Sequence, residues 1–158
     1  ARLLEKALEI DLQNFGKEHP NVAVRQSNLA NVYRNLGEYE RARDLLEAAL
    51  ASDLKNFGKE HPTVAVSQSN LAKVYRNLGE YERARDLLEA ALASAVKNFG
   101  KEHPKVAVRQ LNMGAVFWEM GEKQKAKALL RQAYDFFKKR FGDQHPETQN
   151  AKQWLDKE

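Results

Sequence analysis

The four histidines are the residues of this chain with the most versatile chemistry, because an imidazole can ligate a metal, transfer a proton or accept a hydrogen bond. They recur every 42 residues, each directly before a proline, at His19, His61, His103 and His145. Zinc ligands lie ~2 Å from the ion, whereas packed helices lie ~8–10 Å apart. Histidines one repeat apart therefore cannot share a metal, and we predict no metal site. We interpret them as turn residues near helix starts, with a pH-sensing or ligand role as the alternative.

Other catalytic chemistry is not indicated. The chain has no cysteine, and its glycines occur singly rather than in a phosphate-binding loop. No Ser-His-Asp spacing is present, and carboxylates alternate with cations along the chain. We therefore expect no enzymatic activity and no cofactor. The lack of cysteine fits a reducing compartment, and we expect a cytoplasmic location.

Internal repetition dominates the organisation of the sequence. We predict one array over 1–158, made of a partial repeat with a second helix only (1–14), repeats at 15–56, 57–98 and 99–140, and a C-terminal capping helix (141–158). The first two complete repeats differ at only five positions, namely Asn21/Thr63, Arg25/Ser67, Asn31/Lys73, Asp53/Ala95 and Leu54/Val96. The third repeat is more divergent.

Each repeat predicts two helices. Pro20 suits the first position of a helix, and apolar residues then recur at helical spacing until Gly37, which suits a left-handed C-terminal position. A second amphipathic segment follows and ends before the next glycine. We expect about eight helices in an all-α fold, with Phe15 and its equivalents packed into the interfaces between repeats.

The segment NLANVYRNLGEYERARDLLEAAL at 28–50 resembles the tetratricopeptide repeat, in the 42-residue form found in kinesin light chain repeats. The matching positions are Leu29, Ala30, Tyr33, Gly37, Tyr39, Ala42, Leu46, Ala49 and Leu50. This resemblance implies a right-handed superhelical solenoid of antiparallel helix pairs, whose first helices line a concave groove. It also implies a protein–protein interaction scaffold.

The resemblance places ten residues along that groove: Asn28, Asn31, Arg34, Asn35, Asn70, Lys73, Arg76, Asn77, Asn112 and Trp118. It also places Arg25, Ser67 and Arg109 near its edge. Asparagine offers a donor and an acceptor to an extended backbone, and arginine pairs with carboxylates. We therefore predict that the groove binds an extended, acidic peptide. Trp118 is either a binding anchor or a residue covered by the last helix.

Two other functions compete with peptide binding. The chain could be a structural spacer, or could associate end to end through the self-complementary surface of its first helix, at Leu3, Leu4, Ala7 and Leu8.

Nucleic acid is a disfavoured partner, because the net charge of +6 over residues 99–140 (ten Lys/Arg against four Asp/Glu) falls mainly on a second helix. No apolar run reaches the ~20 residues of a membrane span, so we expect no membrane partner.

Overall fold

The computed structural model describes residues 1–157 and contains eight α-helices in that part of the chain. They are α1 (Arg2–Phe15), α2 (Pro20–Asn35), α3 (Tyr39–Phe57), α4 (Pro62–Asn77), α5 (Tyr81–Phe99), α6 (Pro104–Glu119), α7 (Lys123–Phe141) and α8 (Pro146–Leu155). The described residues contain no β-strand. The predicted all-α repeat fold with about eight helices is therefore confirmed.

The chain divides into two compact units, Ala1–Glu80 with α1 to α4 and Tyr81–Glu158 with α5 to α8. Within each unit, helices adjacent in the chain pack against each other, and α2 also contacts α4 as α6 contacts α8. We call α2, α4, α6 and α8 first helices and the other four second helices. An interface is named by the second helix and the following first helix that form it, for example the α3/α4 interface.

The histidine–proline pairs start the first helices. The Nδ1 atom of His19 accepts a hydrogen bond from the backbone N–H of Asn21 at 3.1 Å, and the other three histidines cap α4, α6 and α8 in the same way. This contact satisfies one of the N–H groups that the first turn of a helix leaves unpaired. The interpretation of the histidines as turn residues is confirmed.

The prediction for Phe15 was wrong. Its ring does not pack into an interface but remains 48% exposed and stacks on His19, with 4.5 Å between ring centroids. Phe57 and Phe141 are also exposed and stack on His61 and His145. The aromatic ring therefore stacks on the capping imidazole rather than filling the core.

Glycine terminates the helices where the backbone becomes left-handed. Gly37 has φ = 79°, and the N–H of Glu38 reaches back to the carbonyl oxygen of Tyr33 at 2.8 Å. A side chain would strain this conformation. The turn lets α3 fold back along α2, which is what buries the apolar faces of both helices.

Each unit buries alanines where its helices approach closely and larger residues between them. In the first unit Leu29, Tyr33 and Leu46 are at most 5% exposed, beside the fully buried Ala30 and Ala42. Burial of one such leucine stabilises the fold by about 1.5–3 kcal/mol. In the second unit the position of Ala30 is occupied by Gly114, where an added Cβ would lie 2.7 Å from Cγ of Leu130. The α6–α7 pair is therefore packed too closely for alanine.

Candidate functional site

The predicted contact residues of the first unit lie on its first helices and are accessible to solvent. We call this surface the α2–α4 face. Asn28, Asn31, Asn35 and Asn77 are exposed, whereas Arg34, Asn70, Lys73 and Arg76 are half-buried. No residue of the α2–α4 face is buried, so each of its side chains presents some surface to a ligand.

The two halves of the α2–α4 face are joined by a side-chain hydrogen bond. Nε of Arg34, near the end of α2, donates to Oδ1 of Asn77, at the end of α4, at 2.9 Å. Both helices therefore run towards this contact in the same direction. The buried residues Leu29, Ala30 and Tyr33 hold the opposite side of α2 in the core, so the polar row faces outward.

The second unit carries the remaining two predicted residues on α6. Asn112 and Trp118 are both half-buried. Nζ of Lys123 lies 5.1 Å from the ring centroid of Trp118, a distance typical of a cation–π contact. The indole thus retains accessible surface and is oriented by a cation at the start of α7.

The three residues predicted at the groove edge do not behave alike. Arg25 is exposed and pairs with Asp11 at 2.8 Å across the α1/α2 interface. Ser67 and Arg109 are buried, with 4% and 6% exposure, so the prediction for these two was wrong. Their position lies on the side of a first helix that faces the preceding second helix, which removes them from solvent.

These residues belong to a polar set inside the interfaces that the sequence analysis did not identify. The α1/α2 interface pairs Asp11 with Arg25, and the α3/α4 interface pairs Asp53 with Ser67, whose hydroxyl donates to the carboxylate at 2.5 Å. At the equivalent positions the α5/α6 interface has Ala95 and Arg109. The sequence did contain a signal for this polar set, because two of the five differences between residues 15–56 and 57–98 fall at these positions.

The buried charges of this set have perturbed acidities. Burial raises the pKa of Asp53, although the hydrogen bond from Ser67 and the proximity of His61 oppose that effect. Burial lowers the pKa of Arg109, whose Nε has no hydrogen-bond partner among the described residues. One of its terminal nitrogens donates to the carbonyl oxygen of Lys105 at 3.1 Å. Both groups lie inside helix interfaces, so we assign them to stability rather than to ligand binding.

A second polar contact crosses two of the interfaces. The hydroxyl of Tyr33 donates to the carboxylate of Glu5, and the hydroxyl of Tyr75 donates to that of Glu47. This hydrogen bond, together with burial, raises the pKa of Tyr33. Phe117 occupies the equivalent position of α6 and has no hydroxyl to donate.

Residues 1–157 contain no group of three or more histidine, cysteine, aspartate or glutamate side chains arranged to hold a metal ion. Within the same residues, no helix combines the length and apolar character needed to cross a membrane.

Comparison with known families matches the tetratricopeptide repeat over residues 1–55, 26–95 and 63–139. The chain belongs to the tetratricopeptide repeat family. The resemblance predicted from the sequence is thereby confirmed. Members of this family generally mediate protein–protein interaction and are typically non-enzymatic scaffolds.

Solved structures of similar fold include kinesin light chain-type repeats. The crystal structure of a Podosopora anserina kinesin light chain with nearly identical TPR-like repeats matches 98% of this chain and 73% of its own, with a TM-score of 0.82 and 30% identity. BtubC from P. vanneervenii matches 98% of this chain and 68% of its own, with a TM-score of 0.80 and 23% identity. No curated protein sequence matches the chain significantly.

A more distant structure, the N-terminal domain of stress-induced protein-1 from C. elegans, matches 85% of this chain and 95% of its own. Its TM-score is 0.60 and its identity is 16%. This likeness, like that of BtubC, supports the fold alone.

Proposed function

We propose that the chain is an interaction scaffold that binds an extended, acidic peptide along the α2–α4 face, the part of the predicted concave groove that lies in the first unit. The observation that carries the proposal is the row of accessible amide and cationic side chains on two adjacent first helices, linked by the Arg34–Asn77 hydrogen bond. A row fixed in this way before binding loses less side-chain entropy when a ligand arrives.

The asparagines suit the backbone of an extended ligand. Asn28 and Asn70 occupy equivalent positions of α2 and α4, and each amide can donate to a carbonyl oxygen and accept from an N–H group. Packed helices lie ~8–10 Å apart, whereas an extended chain advances ~3.3 Å per residue. About every third peptide residue would therefore meet the next asparagine.

The cations suit acidic side chains of the ligand. Arg34, Lys73 and Arg76 lie on the α2–α4 face and bring three positive charges to it. A guanidinium can bind a carboxylate through two parallel hydrogen bonds. Asn112 and Trp118 of the second unit remain predicted contact residues, and a cytoplasmic location remains a prediction.

A random-peptide display against the folded protein tests the proposal, followed by calorimetry with a selected peptide. We expect acidic, extended sequences, and we expect the double substitution Asn70→Ala/Arg76→Ala to weaken binding at least tenfold. The matched control is Arg2→Ala/Asn14→Ala, which removes the same two side-chain types from exposed positions of α1. Unchanged affinity of every selected peptide for the Asn70/Arg76 variant would remove the α2–α4 face as the site.

End-to-end self-association is a second candidate, favoured by the apolar surface of α1. Leu3 is 84% exposed and Ile10 is 55% exposed, and large exposed apolar side chains on one helix favour contact with another surface. Sedimentation at millimolar protein concentration would show association that Leu3→Glu/Ile10→Glu abolishes. A monomer under these conditions would leave the spacer role as the alternative to peptide binding.

A further inference from the structure

A second surface of the molecule, on α7 in the second unit, is strongly basic. Lys123, Lys127, Arg131 and Lys138 are all exposed. Together with the half-buried Tyr134 they follow one another at steps of four, four, three and four residues, which places them on one line along the helix. We call these five residues the basic ridge. Its length is about 22 Å, because an α-helix rises 1.5 Å per residue.

The preceding second helix of the same unit, α5, shows which carboxylates the basic ridge lacks. In α5, Arg85 lies 3.1 Å from Asp86 and 4.0 Å from Glu89, so its charge is largely neutralised. Alignment of the repeats places Lys127 at the position of Arg85. All three carboxylates of α5 are replaced in α7, where Gln124, Ala128 and Arg131 stand for Glu82, Asp86 and Glu89.

The consequence is a row of cations with few counter-ions. Among the residues that the structure describes, Lys127 and Arg131 form no ion pair, and Lys138 has only a 3.8 Å contact with Asp143. Isolated like charges at four-residue spacing destabilise a helix. The basic ridge therefore costs the fold some stability, which a partner of opposite charge would recover.

An aromatic ring lies between two of these cations. The charged groups of Arg131 and Lys138 each lie 5.8 Å from the ring centroid of Tyr134. The same tyrosine and Lys138 line a cavity of about 380 Å³ together with Lys152 of α8. The C-terminal end of the ridge thus offers a recess, lined by a further cation and by the carboxylate of Asp143, rather than a flat lysine surface.

Carboxylates limit the basic area at both ends and along one side. Glu122 pairs with Lys125 at 3.1 Å, Asp143 lies near Lys138, and Asp135 is exposed on α7. A nucleic acid presents phosphates over a wide surface and would meet these carboxylates. A narrow, straight row of cations instead matches one helix whose carboxylates recur every four residues, about 6 Å apart along its axis.

We propose that the basic ridge is a docking surface for an acidic helix of another protein. This surface lies on α7, whereas the peptide-binding proposal concerns α2 and α4 of the first unit, so either proposal can fail without the other. The helix binds with its carboxylates against Lys123, Lys127, Arg131 and Lys138 and with an apolar side chain near Tyr134. Charge pairing sets its orientation and speeds its association.

The test uses the whole chain and a synthetic helical peptide of about 18 residues, long enough to span the ridge, with glutamates every four residues on one face. A peptide of identical composition with its glutamates distributed around the helix is the control ligand, and a single-stranded RNA is the third. Fluorescence anisotropy at low salt measures each affinity. We expect the one-faced peptide to bind at least fivefold more tightly than either of the others.

The decisive variant gives α7 the carboxylates of α5, through Gln124→Glu/Ala128→Asp/Arg131→Glu at three exposed positions. It lowers the net charge by 4, because two neutral residues become acidic and one cation is reversed. Lys17→Glu/Lys59→Glu lowers the charge by the same amount on exposed turns of the first unit. We expect the α7 variant to lose at least tenfold in affinity for the one-faced peptide and the control variant to lose less than twofold.

The docking proposal would be overturned by equal losses in both variants, by equal binding of the two peptides, or by tighter binding of RNA. Absence of binding by the one-faced peptide at low salt would overturn it as well. Circular dichroism of each variant shows that it is folded. The variant Asn70→Ala/Arg76→Ala should bind the one-faced peptide like the original chain, which separates this test from that of the α2–α4 face.

Discussion

The α3/α4 interface of the first unit and the α5/α6 interface of the second unit are built on nearly identical second helices, α3 and α5, but they bury opposite charges. The first buries Asp53 against the neutral Ser67, and the second buries Arg109 opposite the position of Ala95. The α1/α2 interface has both members of the pair, Asp11 and Arg25, in contact at 2.8 Å. Two substitutions have thus divided one ion pair into two buried charges, neither of which has a counter-ion in the described chain.

This difference shows that nearly identical second helices need not form equivalent interfaces. An interface joins the second helix of one repeat to the first helix of the next, so its chemistry depends on two repeats at once. Burial of the Asp53 carboxylate destabilises the fold only modestly, because the hydroxyl of Ser67 donates a hydrogen bond to it. Ala95 offers Arg109 no counter-ion, and an uncompensated buried charge costs several kcal/mol of stability.

The largest expected effect comes from restoring the missing carboxylate. We expect Ala95→Asp to raise the free energy of unfolding by about 2–3 kcal/mol, because it supplies Arg109 with a counter-ion. Both tryptophans, Trp118 and Trp154, lie in the second unit. Tryptophan fluorescence during urea unfolding therefore reports on the altered unit, while circular dichroism reports on both.

Two controls separate the ion pair from other effects of Ala95→Asp. Ala95→Asn adds a polar group without charge and should bring no gain. Ala95→Asp/Arg109→Ser recreates the Asp–Ser pair of the α3/α4 interface and should lose most of the gain. A stability of Ala95→Asp no higher than that of Ala95→Asn would show that Arg109 is not the source of the difference.

The α7/α8 interface extends the comparison to a site without charge. The positions of Ala95 and Arg109 are occupied there by Phe137 and Ala151, both buried. The nearby Thr148 is 2% exposed, and its hydroxyl oxygen finds no hydrogen-bond partner within residues 1–157. Valine occupies the same position in the other first helices, as Val22, Val64 and Val106. We expect Thr148→Val to stabilise the second unit by about 1 kcal/mol, because it removes an unpaired polar group at constant shape.

Fluorescence-monitored urea unfolding measures this effect too, and Thr148→Ser is the matched control. Serine keeps the hydroxyl and loses a methyl group, so it should destabilise the unit. Should valine also destabilise it, the hydroxyl must have a partner that the interface supplies.

A smaller gain is expected from completing the pair in the first unit. Ser67→Arg recreates beside Asp53 the pair formed by Asp11 and Arg25, and we expect it to stabilise the unit by about 0.5–1 kcal/mol. The gain is small because Arg25 is itself half-exposed in the pair at the α1/α2 interface, at 45% of its side chain, and exposed ion pairs contribute little. Urea unfolding followed by circular dichroism should show this gain in stability, whereas tryptophan fluorescence, which reports on the second unit, should stay unchanged. The control Ser67→Gln adds bulk without charge and should bring no gain.

The sequence predicted the repeat, the helix starts at proline, the helix ends near glycine and the position of the histidines in turns, because proline, glycine and helical periodicity act within a few residues. It misplaced Phe15, Ser67 and Arg109. Ser67 and Arg109 face a helix of the preceding repeat, whereas Phe15 stacks on His19, only four residues away, a contact that helical periodicity did not indicate. Polarity suggested exposure for Ser67 and Arg109, but the direction of each side chain around its helix placed them inside an interface. Asn28 and Asn70 were predicted correctly as accessible, because they lie away from the apolar stripe.

The last prediction concerns how the stability of the first unit depends on pH through Asp53. Because burial raises the pKa of Asp53, the folded chain binds this proton more tightly than the unfolded chain does. Stability from this group is therefore highest at low pH and falls as pH rises from the ordinary pKa of aspartate, about 4, through the raised value. Asp53→Asn keeps an oxygen that accepts from Ser67 but cannot ionise, so its stability relative to the original chain should be higher at pH 7 than at pH 4. The change should be the smallest of the four, because the hydrogen bond from Ser67 already offsets part of the cost of burial.

Urea unfolding followed by circular dichroism at several pH values measures it, and Asp44→Asn, at an exposed carboxylate of the same helix, is the control. If the stability difference between Asp53→Asn and the original chain stays constant from pH 4 to pH 7, ionisation of Asp53 costs the fold no more than that of a surface carboxylate. The contrast between the two interfaces would then rest on Arg109 alone.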